Sequence, residues 1–253
     1  MENIKSFKSS ELTAITNKYS HYFREVRKRI FFTLSIFAAS TLIGFAFYED
    51  IIRFFIGALS LEGINIVFTS PFQFINLAIS CGIVTGLVIA LPLFILQVLH
   101  FLKPALRKKE FKTVVSFVPF SIFLFLMGFS LGAVIMKWQI EIFLARSISL
   151  GIGNILDISG LLTTVFLTSA FMGIGFQFPI VLLLLLRIGV IKHHALSKKR
   201  LWIYLGSFIF ALLLPPDSII ADIFLSLPLI LLFEFTLLLN RISERKRHKS
   251  GLS

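Results

Sequence analysis

The chain has 253 residues, of which 57% are apolar and only 15% are charged, and its mean hydropathy is +0.91. A soluble globular domain has about 45–50% apolar and about 25% charged residues, so a cytosolic enzyme and a secreted scaffold are excluded. The formal net charge of +12 would suit a nucleic-acid partner. However, the basic residues cluster in short segments between apolar runs, which is typical of membrane-protein loops, so we expect no nucleic-acid binding.

Six apolar segments predict transmembrane helices. In chain order they are residues 30–48, 74–99, 113–136, 161–186, 201–214 and 218–239. The first four have the about 18–20 residues that a helix needs to cross a bilayer. The sequence therefore predicts an all-α polytopic membrane protein, with residues 1–253 forming a single transmembrane domain whose last two helices are short.

The fifth segment, 201–214, is unusual in length. Its 14 residues would extend about 21 Å as a helix, against a hydrocarbon core of about 30 Å. Pro215 and Pro216 follow and must end the helix, since neither residue has a backbone N–H group. Either this helix is short, or it begins inside the preceding basic loop near Ser197.

The distribution of positive charge predicts the orientation. Of the 25 Lys and Arg residues, 22 lie in the two tails and in the second and fourth connecting segments, while only Arg53, Lys137 and Arg146 lie on the opposite side. Short loops rich in Lys and Arg remain in the cytoplasm. Both termini are therefore expected in the cytoplasm, which requires an even number of spans.

Small and polar residues inside the spans predict close helix packing. Gly82 and Gly86, and likewise Gly128 and Gly132, are spaced to let two helices approach. The second pair also forms a Gly-x-Ser-x-Gly pattern around Ser130, but a nucleophile elbow needs a strand–turn–helix context. An intramembrane hydrolase is thus a rival hypothesis, tested by the loss of fluorophosphonate labelling in Ser130→Ala.

Gln177 is the most polar residue in the middle of a predicted span, and Pro179 predicts a kink beside it. Two interpretations of the Gln177 amide stay open. It could form a hydrogen bond between helices of one chain, or it could dock a polar residue on a partner's membrane helix.

Other chemistry is sparse in this sequence. The single cysteine, Cys81, and the His193-His194 pair do not form a recognisable metal-ligand pattern. Only Asp222 and Glu234 are ionisable residues within a span, and both lie toward its ends, which disfavours a proton- or ion-coupled transporter of a small solute. We expect no cofactor, no metal and no enzymatic activity.

Two glutamates stand among the cytoplasmic bases. Glu25 precedes the first span and Glu110 follows the second. Each could simply pair with an arginine on its own helix, Arg29 or Arg107, for about 0.2–0.5 kcal/mol. Alternatively, two carboxylates at one membrane face would make a receptor for a guanidinium-bearing peptide, because a carboxylate matches the planar fork of arginine better than it matches lysine.

The sequence resembles the TatC family, the polytopic subunit of the twin-arginine protein translocase. Six motifs carry the resemblance: Glu25-Val26-Arg27-Lys28-Arg29, Ser70-Pro71-Phe72-Gln73-Phe74, Phe101-Leu102-Lys103-Pro104-Ala105-Leu106 with Glu110, Gly128-Phe129-Ser130-Leu131-Gly132, Gly175-Phe176-Gln177-Phe178-Pro179, and Leu214-Pro215-Pro216-Asp217. Gln73 and Gln177 stand where members of the family carry acids, and Ala221 stands where many carry Gln.

The resemblance implies that the chain binds the twin-arginine signal peptides of folded cargo and nucleates an export complex driven by the proton gradient. The residues implied to bind the signal peptide are Glu25, Arg27, Phe101 and Glu110. Gln177 would lie where single-span partner subunits of the TatA and TatB type dock. Pro71, Pro215 and Asp217 would be structural or functional residues of the outer face.

The implied location is the bacterial inner membrane rather than an organelle. There the chain would contact lipid and form a homo-oligomer within the complex. An assembly scaffold without cargo specificity is the remaining rival hypothesis.

Overall fold

The computed structural model describes residues 2–59, 66–68, 70–101, 117–151, 156–188, 199–215 and 218–249. Within these ranges the chain forms eight helices and two very short strands. They are α1 (Glu2–Ala46), α2 (Tyr48–Ala58), β1 (Ile66–Val67), α3 (Gln73–Phe101), α4 (Phe117–Ser149), β2 (Leu156–Asp157), α5 (Ile158–Gly175), α6 (Phe178–Ile188), α7 (Arg200–Leu212) and α8 (Ile219–Lys249).

Five helical stretches among the described residues are long and apolar enough to cross a membrane. They are Arg24–Ala46, Gln73–Val98, Pro119–Ser149, Ile158–Leu186 and Ile219–Leu238. Each overlaps one of the six apolar segments predicted from the sequence. The remaining predicted segment corresponds to α7, a shorter apolar helix.

The two closing helices differ in length. α7 has 13 residues, about 20 Å at the helical rise, and it begins at Arg200, which supports the short interpretation. Ser197 lies outside the described residues. The prediction that the last helix is also short is wrong, because α8 has 31 residues. No Gly or Pro lies between Pro228 and Lys249, so the helix continues from the apolar segment into the basic tail.

Small residues bring α1 and α3 together. A Cβ atom at Gly82 would lie 2.8 Å from the carbonyl oxygen of Thr41, and a Cβ atom at Gly44 would lie 2.5 Å from the Cβ of Thr85. Larger side chains would force the two backbones apart. The close approach fixes α3 against the first membrane helix along much of its length.

The glycine pair of α4 packs against α5. A Cβ atom at Gly132 would lie 2.8 Å from the Cα of Ser169, and one at Gly128 would lie 2.8 Å from the carbonyl oxygen of Met172. This arrangement confirms the packing interpretation of the Gly-x-Ser-x-Gly pattern. Ser130 is an exposed residue in the middle of a helix, so the strand–turn–helix geometry of a nucleophile elbow is not present at this position.

We expect Gly132→Ala to lower the stability of the bundle by about 1–3 kcal/mol, because the added methyl group overpacks the contact with Ser169. Gly57→Ala is the matched control, since nothing lies within 4 Å of the position of its Cβ and alanine favours helix. Thermal unfolding in detergent measures both variants. A Gly132→Ala protein as stable as the Gly57→Ala protein would contradict this packing.

The fourth membrane stretch is broken between α5 and α6. Phe176 donates its backbone N–H to Met172 O at 2.9 Å and Gln177 donates to Ile174 O at 2.9 Å, a tightened turn that ends α5. Pro179 lacks a backbone N–H group and lies in the first turn of α6, where none is needed. A kink was predicted beside Pro179, and the structure has a break between two helices at this position. The break places Gln177 between α5 and α6.

Candidate functional site

One arginine joins α1 to the C-terminal part of α3. Arg29 Nη2 lies 2.5 Å from Glu25 Oε1, one helical turn away on α1. The other terminal nitrogen, Nη1, donates to the main-chain carbonyl of Gln97 on α3 at 3.0 Å. The Arg29 side chain is 23% exposed and that of Glu25 is 40% exposed. The carboxylate is thus held at the edge of a two-helix contact while remaining accessible.

The position of this contact along α1 and α3 also locates Glu25 and Phe101, two residues of the predicted binding site. Glu25 is one turn beyond Arg29, and Phe101, the last residue of α3, is one turn beyond Gln97, each about 6 Å along its helix. Since α1 and α3 run antiparallel, both steps point toward the same membrane face. The backbones at Glu25 and Phe101 therefore lie at similar depth. Glu110 lies outside the described residues.

Arg27 lies on a different face of α1 from Glu25. Its guanidinium carbon is 5.5 Å from the centroid of the Phe31 ring, and that phenylalanine is an exposed residue of the membrane-facing surface. Positions two residues apart on a helix point about 200° away from each other. The structure therefore does not bring the Arg27 and Glu25 side chains together.

The Gln177 amide joins α4 to the break between α5 and α6. Ser121 Oγ donates to Gln177 Oε1 at 2.7 Å, and Gln177 Nε2 donates to Ser121 O at 3.1 Å. A longer contact reaches Gly173 O at 3.4 Å. Gln177 is 5% exposed. The first of the two interpretations, a hydrogen bond between helices of one chain, describes what this amide does in the isolated chain.

A large apolar groove lies beside Gln177. Its volume is about 620 Å³, and its lining comes from α3, α5, α6, α7 and α8, including Phe94, Phe178, Trp202 and Phe210. Gly206 and Ser207 line the groove on α7, and their small size keeps this side of the groove from being filled. A groove of this size and apolar character suits an apolar occupant such as a membrane helix or a lipid chain.

A polar cluster that was not predicted from the sequence joins α7 to α8. Tyr204 donates its hydroxyl to Glu234 Oε1, and Arg200 Nη1 lies 3.4 Å from Glu234 Oε2. Glu234 is therefore paired with Tyr204 and Arg200 near the start of α7. A solute transporter would need an unpaired ionisable group near the middle of the membrane, which Glu234 does not supply. Tyr204 and Glu234 are 30 residues apart in the sequence, so their contact could not be predicted from residue spacing.

The outer segments are tied together by a second polar cluster. Strands β1 and β2 pair in parallel, with Ile66 opposite Leu156 and Val67 opposite Asp157. Gln73 Nε2 donates to Asp157 Oδ2 at 3.1 Å. The same carboxylate caps α5 by accepting the backbone N–H of Ser159 at 3.1 Å.

The outer-face prolines occupy the ends of helices. Pro71 is an exposed residue in the turn that leads into α3, where Gln73 N donates to Ser70 O at 3.1 Å. Pro215 is partly buried and follows the end of α7. Asp217 lies outside the described residues. Both described prolines thus mark the boundaries of helices.

No group of three or more His, Cys, Asp or Glu side chains that could hold a metal ion occurs in the described part of the chain. The His193-His194 pair lies outside it. Asp222 is buried near the start of α8 and has a partner.

Comparison with known proteins gives a consistent result over most of the chain. The sequence model of the family described as Sec-independent protein translocase protein (TatC) matches residues 21–228. The chain is 28% identical to the Sec-independent protein translocase protein TatCy of Bacillus subtilis (strain 168), covering 90% of each protein. It is 25% identical to the TatC protein of Aquifex aeolicus (strain VF5), covering 90% of this chain and 96% of the relative.

The fold is also similar to a solved one. The structure described as "Crystal Structure of Twin Arginine Translocase Receptor- TatC" superposes with a TM-score of 0.76 at 24% identity, covering 88% of this chain and 99% of the other. This similarity concerns the overall helical fold.

Proposed function

Because the chain belongs to the TatC family of Sec-independent protein translocase subunits, we propose that it is the subunit that binds twin-arginine signal peptides of folded cargo. The observation that carries the proposal is the contact between Glu25 and an arginine guanidinium at 2.5 Å. The carboxylate lies at the inner edge of the bundle and is partly exposed. A translocase component of this family is not an enzyme.

The remaining residues of the binding site would come from the same membrane face. Phe101 ends α3 at the depth of Glu25, and Glu110 follows nine residues later in the sequence. A second carboxylate would serve the second arginine, and each charge-assisted hydrogen bond would contribute about 1.5–3 kcal/mol. Arg27 would act from the lipid-facing side of α1, where it can meet the acidic headgroups or the polar flank of the peptide.

The proposed topology has six spans with both termini in the cytoplasm of a bacterium. Five long apolar stretches and the shorter α7 supply the spans. The location of 22 of the 25 Lys and Arg residues in alternate segments supports the orientation. This orientation puts Glu25 on the side of the inner membrane from which a folded cargo would arrive.

Gln177 and the groove beside it are proposed to receive the single-span partner subunits of the TatA and TatB type. The groove is open and apolar, and Gln177 contributes a polar group to its lining. The buried Gln177 amide borders the groove and would exchange its Ser121 partner for a polar group on an incoming helix. Several copies of the chain would assemble around such partners, and the proton gradient would drive transport.

Photo-crosslinking of a signal peptide to the full chain in membranes tests the proposal. A probe placed beside the arginine pair is expected to label the segment around Glu25. The matched peptide with two lysines is expected to label it several-fold less, since an ammonium group cannot form the two parallel bonds of a guanidinium. Equal labelling by both peptides would contradict a twin-arginine receptor and would favour a scaffold without cargo specificity.

A further inference from the structure

Arg29 and Gln97, which are joined by a hydrogen bond to the Gln97 main chain, both carry buried polar atoms without a partner among the described residues. Both side-chain atoms of the Gln97 amide, Nε2 and Oε1, are buried and make no hydrogen bond to any described residue. The same is true of Arg29 Nε. Arg29 is already bonded to the main chain of Gln97, so the unsatisfied groups belong to neighbouring residues. A buried amide without a partner is rare in folded proteins and requires an explanation.

We infer that Arg29 is an internal competitor for the Glu25 carboxylate, and that the Gln97 amide accepts Arg29 when a cargo arginine displaces it. The inference rests on the proposed function of Glu25 as a signal-peptide ligand. It makes Arg29 and Gln97 residues that set the affinity for the signal peptide, although they are not proposed to contact the cargo.

The chemistry of the two guanidinium groups supports the competition. Arg29 makes with Glu25 the contact that a cargo arginine would make, at 2.5 Å. A cargo side chain must therefore displace Arg29 from the Glu25 carboxylate in order to bind it. A lysine presents a compact, strongly hydrated charge without a planar fork, so it binds the carboxylate less tightly than arginine does. Competition by Arg29 lowers the affinity for both by the same factor and so leaves the lysine contact the weaker of the two.

The position of Gln97 makes the displacement feasible. If Arg29 were displaced from Glu25 and its guanidinium stayed unpaired between α1 and α3, the buried charge would cost free energy. Arg29 can instead keep its 3.0 Å bond to Gln97 O and gain the side-chain oxygen of the same residue. The unsatisfied oxygen of the Gln97 amide thereby gains a guanidinium donor in the cargo-bound state.

A simpler role for Arg29 predicts the opposite result. If Arg29 only holds Glu25 in position, its removal weakens binding of every signal peptide. If Arg29 competes, its removal strengthens binding of every signal peptide. The sign of the effect therefore separates the two roles.

The test measures binding of fluorescent twin-arginine and twin-lysine signal peptides to the full chain in lipid nanodiscs. Arg29→Gln is expected to bind both peptides roughly tenfold more tightly and to leave the preference for twin arginine unchanged. Arg29→Lys, which keeps the charge if Arg29→Gln proves unstable, is expected to shift in the same direction by less. Arg53→Gln is the control, because Arg53 forms an exposed pair of the same spacing with Glu49.

A double-mutant cycle tests the role of Gln97. Gln97→Met is expected to weaken binding of the twin-arginine peptide several-fold in the natural chain and to have no effect when Arg29 is Gln. Weaker binding by both Arg29 variants, or equal effects of Gln97→Met in both backgrounds, would overturn the inference. In that case a loss of twin-arginine binding in Glu25→Gln would leave the proposed function standing, whereas unchanged binding in Glu25→Gln would overturn both.

Discussion

Export of a twin-arginine reporter is expected to fall at least tenfold when Glu25 is replaced by Gln. The substitution keeps the shape of the side chain and removes the charge that binds guanidinium. Losing one charge-assisted hydrogen bond worth about 1.5–3 kcal/mol corresponds to about a 10- to 150-fold loss of affinity. Measurement of exported reporter in cells that carry each variant tests this, and Glu110→Gln is expected to act in the same direction.

Glu49→Gln is the matched control for Glu25→Gln. Glu49 pairs with Arg53 at the same helical spacing, at 3.7 Å, and its side chain is 63% exposed. Its loss removes an ion pair of α2 without touching the inner face, so export should be unchanged. The amount of each variant in the membrane must be measured alongside, since Glu25 also stabilises the start of the membrane-crossing part of α1. Full export in both Glu25→Gln and Glu110→Gln would remove these residues from the site.

Local features of the sequence predicted most of the architecture. Apolar length and basic loops depend on consecutive residues, so five spans and the short α7 could be recognised without any knowledge of packing. Pro215 and Pro179 predicted a helix end and a helix break for the same reason, since a missing N–H acts within one turn. The length of α8 was missed because an apolar segment marks where a helix meets lipid, and helix formation continues through its basic tail.

Contacts between distant residues could not be predicted in this way. Arg29 reaches Gln97 across 68 residues of sequence, and Gln73 reaches Asp157 across 84. A single residue that contacts a distant helix leaves no periodic pattern in the sequence from which the contact could be predicted. The i,i+4 pairing of Glu25 with Arg29 was recognisable from spacing alone, but its connection to α3, which gives the pair its position in the bundle, required the fold.

Replacing Gln177 by Leu is expected to destabilise the chain by about 1–3 kcal/mol, because Ser121 loses both its acceptor and its donor in a buried site. Replacing both residues, Ser121→Ala together with Gln177→Leu, removes the hydroxyl as well as the amide and should recover part of the loss. Thermal unfolding in detergent measures both variants. Ser207→Ala is the control, since Ser207 lines the same groove but bonds to Ile203 O of its own helix.

The double variant also separates the two roles of Gln177. If the amide only joins α4 to the α5–α6 break, a double variant that recovers its stability should export cargo as the Ser207→Ala protein does. If Gln177 also docks a partner helix, as we propose, the same variant should fold but lose both co-purification of the single-span subunits and export. Normal partner binding and export in a stable double variant would therefore contradict the docking role and leave Gln177 as a structural residue of the bundle, whose polarity serves a hydrogen bond within one chain.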